Sequence, residues 1–229
     1  MITDDTDILS PGDWEVILNA AGESRPSVES TALPQLEVSY GFYKNFQITA
    51  AGYRQVIKEK GESSISDWGE AGVEVKWLFY QGDKFALATA IGYAFPMSRS
   101  SRIRGLVEDI RILSVPLIAS HTAGRWQFAG QVSLDWTSSS VNGLGYGALA
   151  GYSLTDTVIV MAEIYGEELA VDESDEPDEG VTNWRVGLTW QFTPALALLA
   201  AYGGDLNSDL PVQEQLEQDW FLGVQYTPL

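Results

Sequence analysis

From Asn183 to Tyr226 the chain alternates. Trp184, Val186, Leu188, Trp190 and Phe192 take every second position, with Arg185, Gly187, Thr189 and Gln191 between them. After Thr193-Pro194-Ala195, the residues Leu196, Leu198, Ala200 and Tyr202 continue the pattern. Trp220, Leu222, Val224 and Tyr226 repeat it after a polar loop. A period of two means strands with one apolar face. That face carries Trp or Tyr near its ends and aliphatics between, while the other face is small and polar. Lipid on one side, a lumen on the other and aromatics at both interfaces explain this arrangement.

The same pattern fills the chain. Trp14, Val16 and Leu18 open it, and Leu36, Val38, Tyr40 and Phe42 follow after a loop expected to hold Arg25-Pro26 and Pro34. Phe46, Ile48 and Ala50 make a third strand, Lys58 to Glu70 is expected as a polar loop, Val73, Val75, Trp77 and Phe79 make a fourth strand, and Phe85 to Phe95 a fifth. Residues 110–121 are apolar on both faces and contain Pro116; there we assign Leu113, Val115, Leu117 and Ala119 outward. Trp126 to Trp136, Tyr146 to Tyr152 and Val158 to Ile164 bring the total to twelve with the closing stretch. Connections alternate between tight turns and longer polar loops, and aromatics collect at both ends of the strands. The expectation is an all-β fold, a 12-stranded antiparallel up-and-down transmembrane β-barrel, over residues 13–229. Residues 1–12, polar and acidic up to Pro11-Gly12, are expected to form a periplasmic N-terminal segment. Even strand number puts both termini on the periplasmic side of a bacterial outer membrane.

Composition agrees with a barrel. Mean hydropathy is −0.05, too low for a bundle of membrane helices, and no apolar run reaches helical span length. A soluble sandwich or lipocalin-like barrel needs more charge on its solvated face than these strands carry. The formal net charge of −19 excludes nucleic acid as a partner. Cysteine is absent. The acidic Thr3-Asp4-Asp5-Thr6-Asp7 follows Met1-Ile2, so an exported chain is expected here in its mature form with a start Met.

Thr3-Asp4-Asp5-Thr6, Gly12-Asp13-Trp14-Glu15, Leu36-Glu37-Val38-Ser39-Tyr40-Gly41 and Gly72-Val73-Glu74-Val75-Lys76-Trp77 together resemble the meta-pathway phenol-degradation family of outer-membrane transporters. The resemblance implies a barrel linked to uptake of small, often aromatic compounds, and it carries over no catalytic residues. The end, Tyr226-Thr227-Pro228-Leu229, departs from the terminal aromatic usual in such barrels.

Chemistry is sparse. His121 is the sole histidine, and Ser120 points to the opposite face of a strand, so no simple dyad forms. We expect no enzyme, no metal and no cofactor. The lumen-facing charges matter more: Glu15, Glu37, Glu74, Lys76, Asp135, Glu163 and Arg185. Inside a barrel they must be hydrated or paired, so they either brace the lumen or select solutes. Glu163 and Arg185 are expected to pair across neighbouring strands. Ala86, Ala88, Ala90, Gly92, Ala197, Ala201 and Gly203 are expected to leave free space. Five acids against two bases predict passage of small molecules, aromatic or cationic, with cations favoured. Alternatively, the charges close the lumen of a structural or partner-binding barrel. The acidic loop from Glu167 to Gly180 reads as solvated and lacks EF-hand spacing. Outer-membrane lipid and lipopolysaccharide are the expected surroundings, with Arg99, Arg102 and Arg104 facing their phosphates.

Overall fold

The computed structural model describes residues 3–139, 141–171 and 179–228. Twelve antiparallel strands close on themselves in chain order. They are β1 (Trp14–Ser24), β2 (Val28–Tyr43), β3 (Phe46–Glu59), β4 (Ile65–Gln81), β5 (Phe85–Pro96), β6 (Ile112–Ala123), β7 (Trp126–Thr137), β8 (Val141–Ser153), β9 (Val158–Val171), β10 (Glu179–Thr193), β11 (Leu196–Ser208) and β12 (Gln218–Tyr226). A single turn of helix, α1 (Arg99–Ile103), interrupts the long connection between β5 and β6. Closure pairs β1 with β12, from Val16 opposite Tyr226 to Ser24 opposite Gln218. Closing removes both sheet edges, which lipid would leave without hydrogen-bond partners.

Every second residue faces out. Leu18, Leu36, Leu117, Val132, Leu134, Val186 and Leu222 are all exposed around the barrel waist. At the end with the tight turns, Trp14 meets Tyr226 edge-on at 5.6 Å, Phe46 stacks on Trp77 at 5.8 Å and Trp126 lies 4.8 Å from Tyr152. At the other end Tyr93 and Phe95, and Trp184 and Tyr202, form comparable pairs. Two aromatic girdles with an aliphatic band between them make a membrane-spanning surface.

Three departures from the sequence expectations have physical causes. The segment around Pro34 is strand, not loop. β2 reaches back to Val28, and a register shift between Ala32 and Gln35 takes Leu33 and Pro34 out of the β2–β3 ladder, so the missing proline N–H costs nothing there. Of the polar stretch 58–70, expected as a loop, only 60–64 lie outside strands, because the ladder of β3 and β4 continues to Ile57 opposite Ile65. In β6 the assigned facing holds: Leu113 and Leu117 are exposed, while Pro116 and Ile118 are buried inward.

The third departure concerns the N-terminus. Residues 3–10, expected as a periplasmic segment, run inside the barrel and touch side chains of β3, β4, β6, β7 and β9. An isolated extended segment has backbone N–H groups to satisfy; the polar wall takes those of Thr3, Asp4, Thr6 and Leu9, and the segment's own carboxylates take those of Asp5 and Asp7.

Candidate functional site

The site is the lumen and the segment crossing it, called the strap below. At its root, Gly12 takes φ +98° and donates its N–H to the Gly41 carbonyl at 2.8 Å. A Cβ on Gly41 would overlap the Ser10 carbonyl, so only glycine lets the strap turn inward at that point. From there Leu9 N–H donates to Gln47 Oε1 at 2.9 Å and Thr6 N–H to Ser120 Oγ at 3.1 Å. Further in, Asp4 N–H donates to Gln131 Oε1 at 2.7 Å and Thr3 N–H to Glu163 Oε2 at 2.8 Å. Ile8 sits on a small apolar patch of Leu78, Ala86, Ala88 and Ile118. Ala88 is fully buried. The alanines of β5 were expected to leave open space; on that wall Ile8 covers it.

Lys76 projects from β4 and is 5% exposed. Its Nζ lies 2.7 Å from Asp4 Oδ2 and donates to the Asp5 carbonyl at 3.2 Å. Its partner is thus the strap rather than its chain neighbour Glu74. Above and beside the strap lies a cavity of about 840 Å³. Glu15, Glu37, Glu74 and Lys76 from the wall line it, with Asp4, Asp5 and Asp7 from the strap. Glu15 is also engaged: its Oε2 accepts from Gln225 Nε2 and Thr227 Oγ1, which ties β1 to β12 and to the residue just past it. Asp135 accepts from Ser133 Oγ at 3.2 Å on its own strand and does not border the cavity.

On the opposite wall Arg185 and Glu163 do pair, at 3.9 Å, but Arg185 holds another acid more closely. Its Nη2 lies 2.5 Å from Asp219 Oδ2 on β12. Tyr165 OH donates to the same oxygen at 2.8 Å, and the guanidinium carbon sits 5.3 Å from the Tyr165 ring centre. Glu163, Arg185 and Asp219 share one register row, and Tyr165 sits two residues along β9. Gly203 on β11 separates Arg185 from Asp219, so the space expected there is taken by the ion pair. Asp219 is 2% exposed and was missed by sequence reasoning. The signal was present: it precedes outward-facing Trp220, so it faces in.

At the wide-loop rim, α1 docks on the end of β4. Ser100 Oγ donates to Asp67 and Ser101 Oγ to the Trp68 carbonyl, while Arg104 lies 3.5 Å from Asp67. The Ser100 hydroxyl, the Trp68 N–H and Arg104 hold the Asp67 carboxyl below its ordinary range. Arg102 is engaged by Asp109 at 2.6 Å. Of the acidic loop, Glu167 and Glu168 belong to β9; positions 172–178 lie outside the described residues. Ser120 faces the strap while His121 is exposed on the outer face, so they form no dyad. Among the described residues no group of His, Cys, Asp or Glu is placed to hold a metal ion.

A closed 12-stranded barrel with an apolar outer band and a charged lumen has the architecture of outer-membrane channels. No family model and no curated protein matches the chain. Among solved structures it is similar to the COG4313 outer membrane channel from Pseudomonas putida F1, with a TM-score of 0.77 at 14% identity over 100% of both chains. The NanC porin follows at 0.65 and 11% identity, over 93% of this chain and 100% of that one. The KdgM porin aligns at 0.61 and 11% identity, over 93% and 99%. At these identities the likeness is one of fold.

Proposed function

We propose that the chain is an outer-membrane channel for passive diffusion of small solutes, cations before anions, with both chain ends on the periplasmic side. The observation that carries this reading is the cavity of about 840 Å³ with Asp4, Asp5, Asp7, Glu15, Glu37 and Glu74 on its lining against Lys76 alone among basic residues. Carboxylates confined by a low-dielectric wall concentrate cations and repel anions. Carboxylates rather than aromatic rings dominate that lining, so cations come before the aromatic solutes that the family resemblance implies. The fold of channels and porins at similar length supports the setting. Lipid and lipopolysaccharide of the outer membrane are then its surroundings. Arg99 is the candidate for their phosphates, since Arg102 and Arg104 already hold Asp109 and Asp67. The test is the reversal potential across a KCl gradient in a planar bilayer. Cation preference is expected; anion preference at both low and high salt overturns the reading.

One observation favours a second reading. The strap spans the lumen from β3 to β9. A bilayer that stays silent would make the chain a structural or partner-binding barrel, its lumen closed by the strap and the charge network.

A further inference from the structure

Resting on the channel reading, we infer that residues 3–10 act as a releasable strap over the lumen and that Lys76 is its latch. The way the strap is held differs from the way the barrel is held. Strands are joined by continuous backbone ladders. From Thr3 to Leu9 the bonds to the wall are made by wall side chains: Glu163, Gln131, Ser120 and Gln47 accept from strap N–H groups, and Lys76 donates to Asp4 and the Asp5 carbonyl. Backbone bonds to the wall begin only at the root, where Gly12 and Asp13 exchange with Gly41. Bonds to side chains in a wet lumen exchange for water at little net cost. The strap also lies where the wall has been cut back for it. A Cβ on Gly41 would overlap Ser10 at the root, and a Cβ on Gly147 would overlap Thr3 near the tip.

Charge makes the placement conditional. Asp4, Asp5 and Asp7 bring negative charge to a wall that already carries Glu15, Glu37 and Glu74. Lys76 is the sole base on that lining. It holds Asp4 at 2.7 Å and the Asp5 carbonyl at 3.2 Å. With Lys76 in place the strap is bonded; without it, acid faces acid, and an unpaired half-buried charge is costly. Ile8 on its small patch is the remaining anchor. Release swings the strap about Pro11-Gly12 toward the end of the barrel marked by Trp14. Gly12 has no heavy atom within 4 Å of its would-be Cβ, so that hinge is unobstructed.

The chain contains no cysteine, so Thr6→Cys introduces a single thiol on the strap. Thr6 is 3% exposed. Refolded into detergent micelles, this variant is expected to react slowly with a charged maleimide. Adding Lys76→Met accelerates labelling by about tenfold or more, and Lys76→Arg restores the slow rate. Asp4→Asn, which leaves the barrel wall untouched, accelerates it in the same direction. Unchanged labelling in both Lys76→Met and Asp4→Asn, each checked as folded by heat-modifiable migration, overturns the proposal. The same variants in planar bilayers separate it from the channel reading. Faster labelling with silent bilayers keeps the strap and defeats the channel. Conductance with unaltered labelling keeps the channel and defeats the strap.

Discussion

Arg185 reaches Asp219, two strands away, across the bare Cα of Gly203 on the strand between them. Both charges are buried, at 9% and 2% exposure. Removing Arg185 leaves Asp219 buried without its counter-charge, and removing Asp219 leaves Arg185 with only the more distant Glu163; breaking a buried pair costs about 3–5 kcal/mol. Arg185→Met and Asp219→Asn should each lower unfolding stability in detergent by that order, and the double variant by less than the sum. Additive losses in the double-mutant cycle would show that the pair is uncoupled. A parallel cycle with Glu163 should give a weaker coupling, because that carboxylate is 3.9 Å away.

Gly203 is the enabling residue. A Cβ there would overlap the Trp184 carbonyl and lie 2.7 Å from Asp219 Oδ1. Gly203→Ala should destabilise by about 1–3 kcal/mol, the range for forcing extra volume into a packed site. Gly92→Ala is the contrast. Its nearest atom would be Glu74 Oε2 at 3.7 Å, an ordinary contact, so the change should stay within about 0.5 kcal/mol. Equal effects at the two positions would mean that Gly203 has no spacing role.

The rim responds to acid. The Asp67 carboxyl is held below the ordinary aspartate range by Ser100, Trp68 and Arg104. A depressed folded value means that these bonds contribute fully above the ordinary value and fade as pH falls through the lowered one. Protection of the amides over residues 98–104, relative to their intrinsic exchange at each pH, should therefore hold at neutral pH and be lost only below the ordinary aspartate range. Asp67→Asn should remove the transition, with fast exchange throughout. A transition that survives in that variant would place the control elsewhere.

The outer band fixes the solvent the chain requires. Apolar side chains exposed all round the waist form a patch far larger than a soluble monomer tolerates. Folding should require detergent or lipid, and the folded form should resist SDS until heated. A monodisperse monomer with native β-signal in plain buffer would contradict a membrane-spanning surface.

Selectivity should have two components that salt separates. Glu37 and Glu74 line the cavity inside the barrel. External acids such as Asp209 and Glu214 sit at the loop end. Screening acts over about 8 Å at physiological salt, so the external contribution should fade as KCl rises while the internal one persists. Glu37→Gln with Glu74→Gln should reduce cation preference at high salt, read from reversal potentials. An unchanged potential in that double variant would remove these residues from the filter.

The barrel was legible because its logic is local. Alternation along Trp184 to Phe192, or Val73 to Phe79, needs only a strand with two unlike environments. In β6, where both sides are apolar, alternation alone does not choose a face; the ladder bears out the assigned one by setting Leu113 and Leu117 opposite Trp136 and Val132. The strap was not legible, because Asp4, Asp5 and Asp7 read as a solvated tail. Its seats, Gln47, Ser120 and Gln131, look like any polar lumen residues. Lys76 illustrates the limit: Glu74 is two residues away in sequence, yet Asp4 on the strap is the partner. Arg185 and Glu163 were paired correctly from adjacent strands, but the closer acid came from β12, two strands distant in the ring.

Read from root to tip, the seats of the strap follow chain order. Leu9 meets Gln47, Thr6 meets Ser120, Asp4 meets Gln131 and Thr3 meets Glu163, so the sequence separations rise from 38 through 114 and 127 to 160. Loop-closure entropy grows with separation, which favours the root before the tip. Docking then proceeds like a zip, each stitch shortening the free end that must find the next. The last stitch waits for a residue of β9, so the N-terminus cannot finish its own placement until three quarters of the wall stands. An early stretch of the barrel chain is thereby among the last to settle, and a seated Thr3 marks a wall built at least through β9.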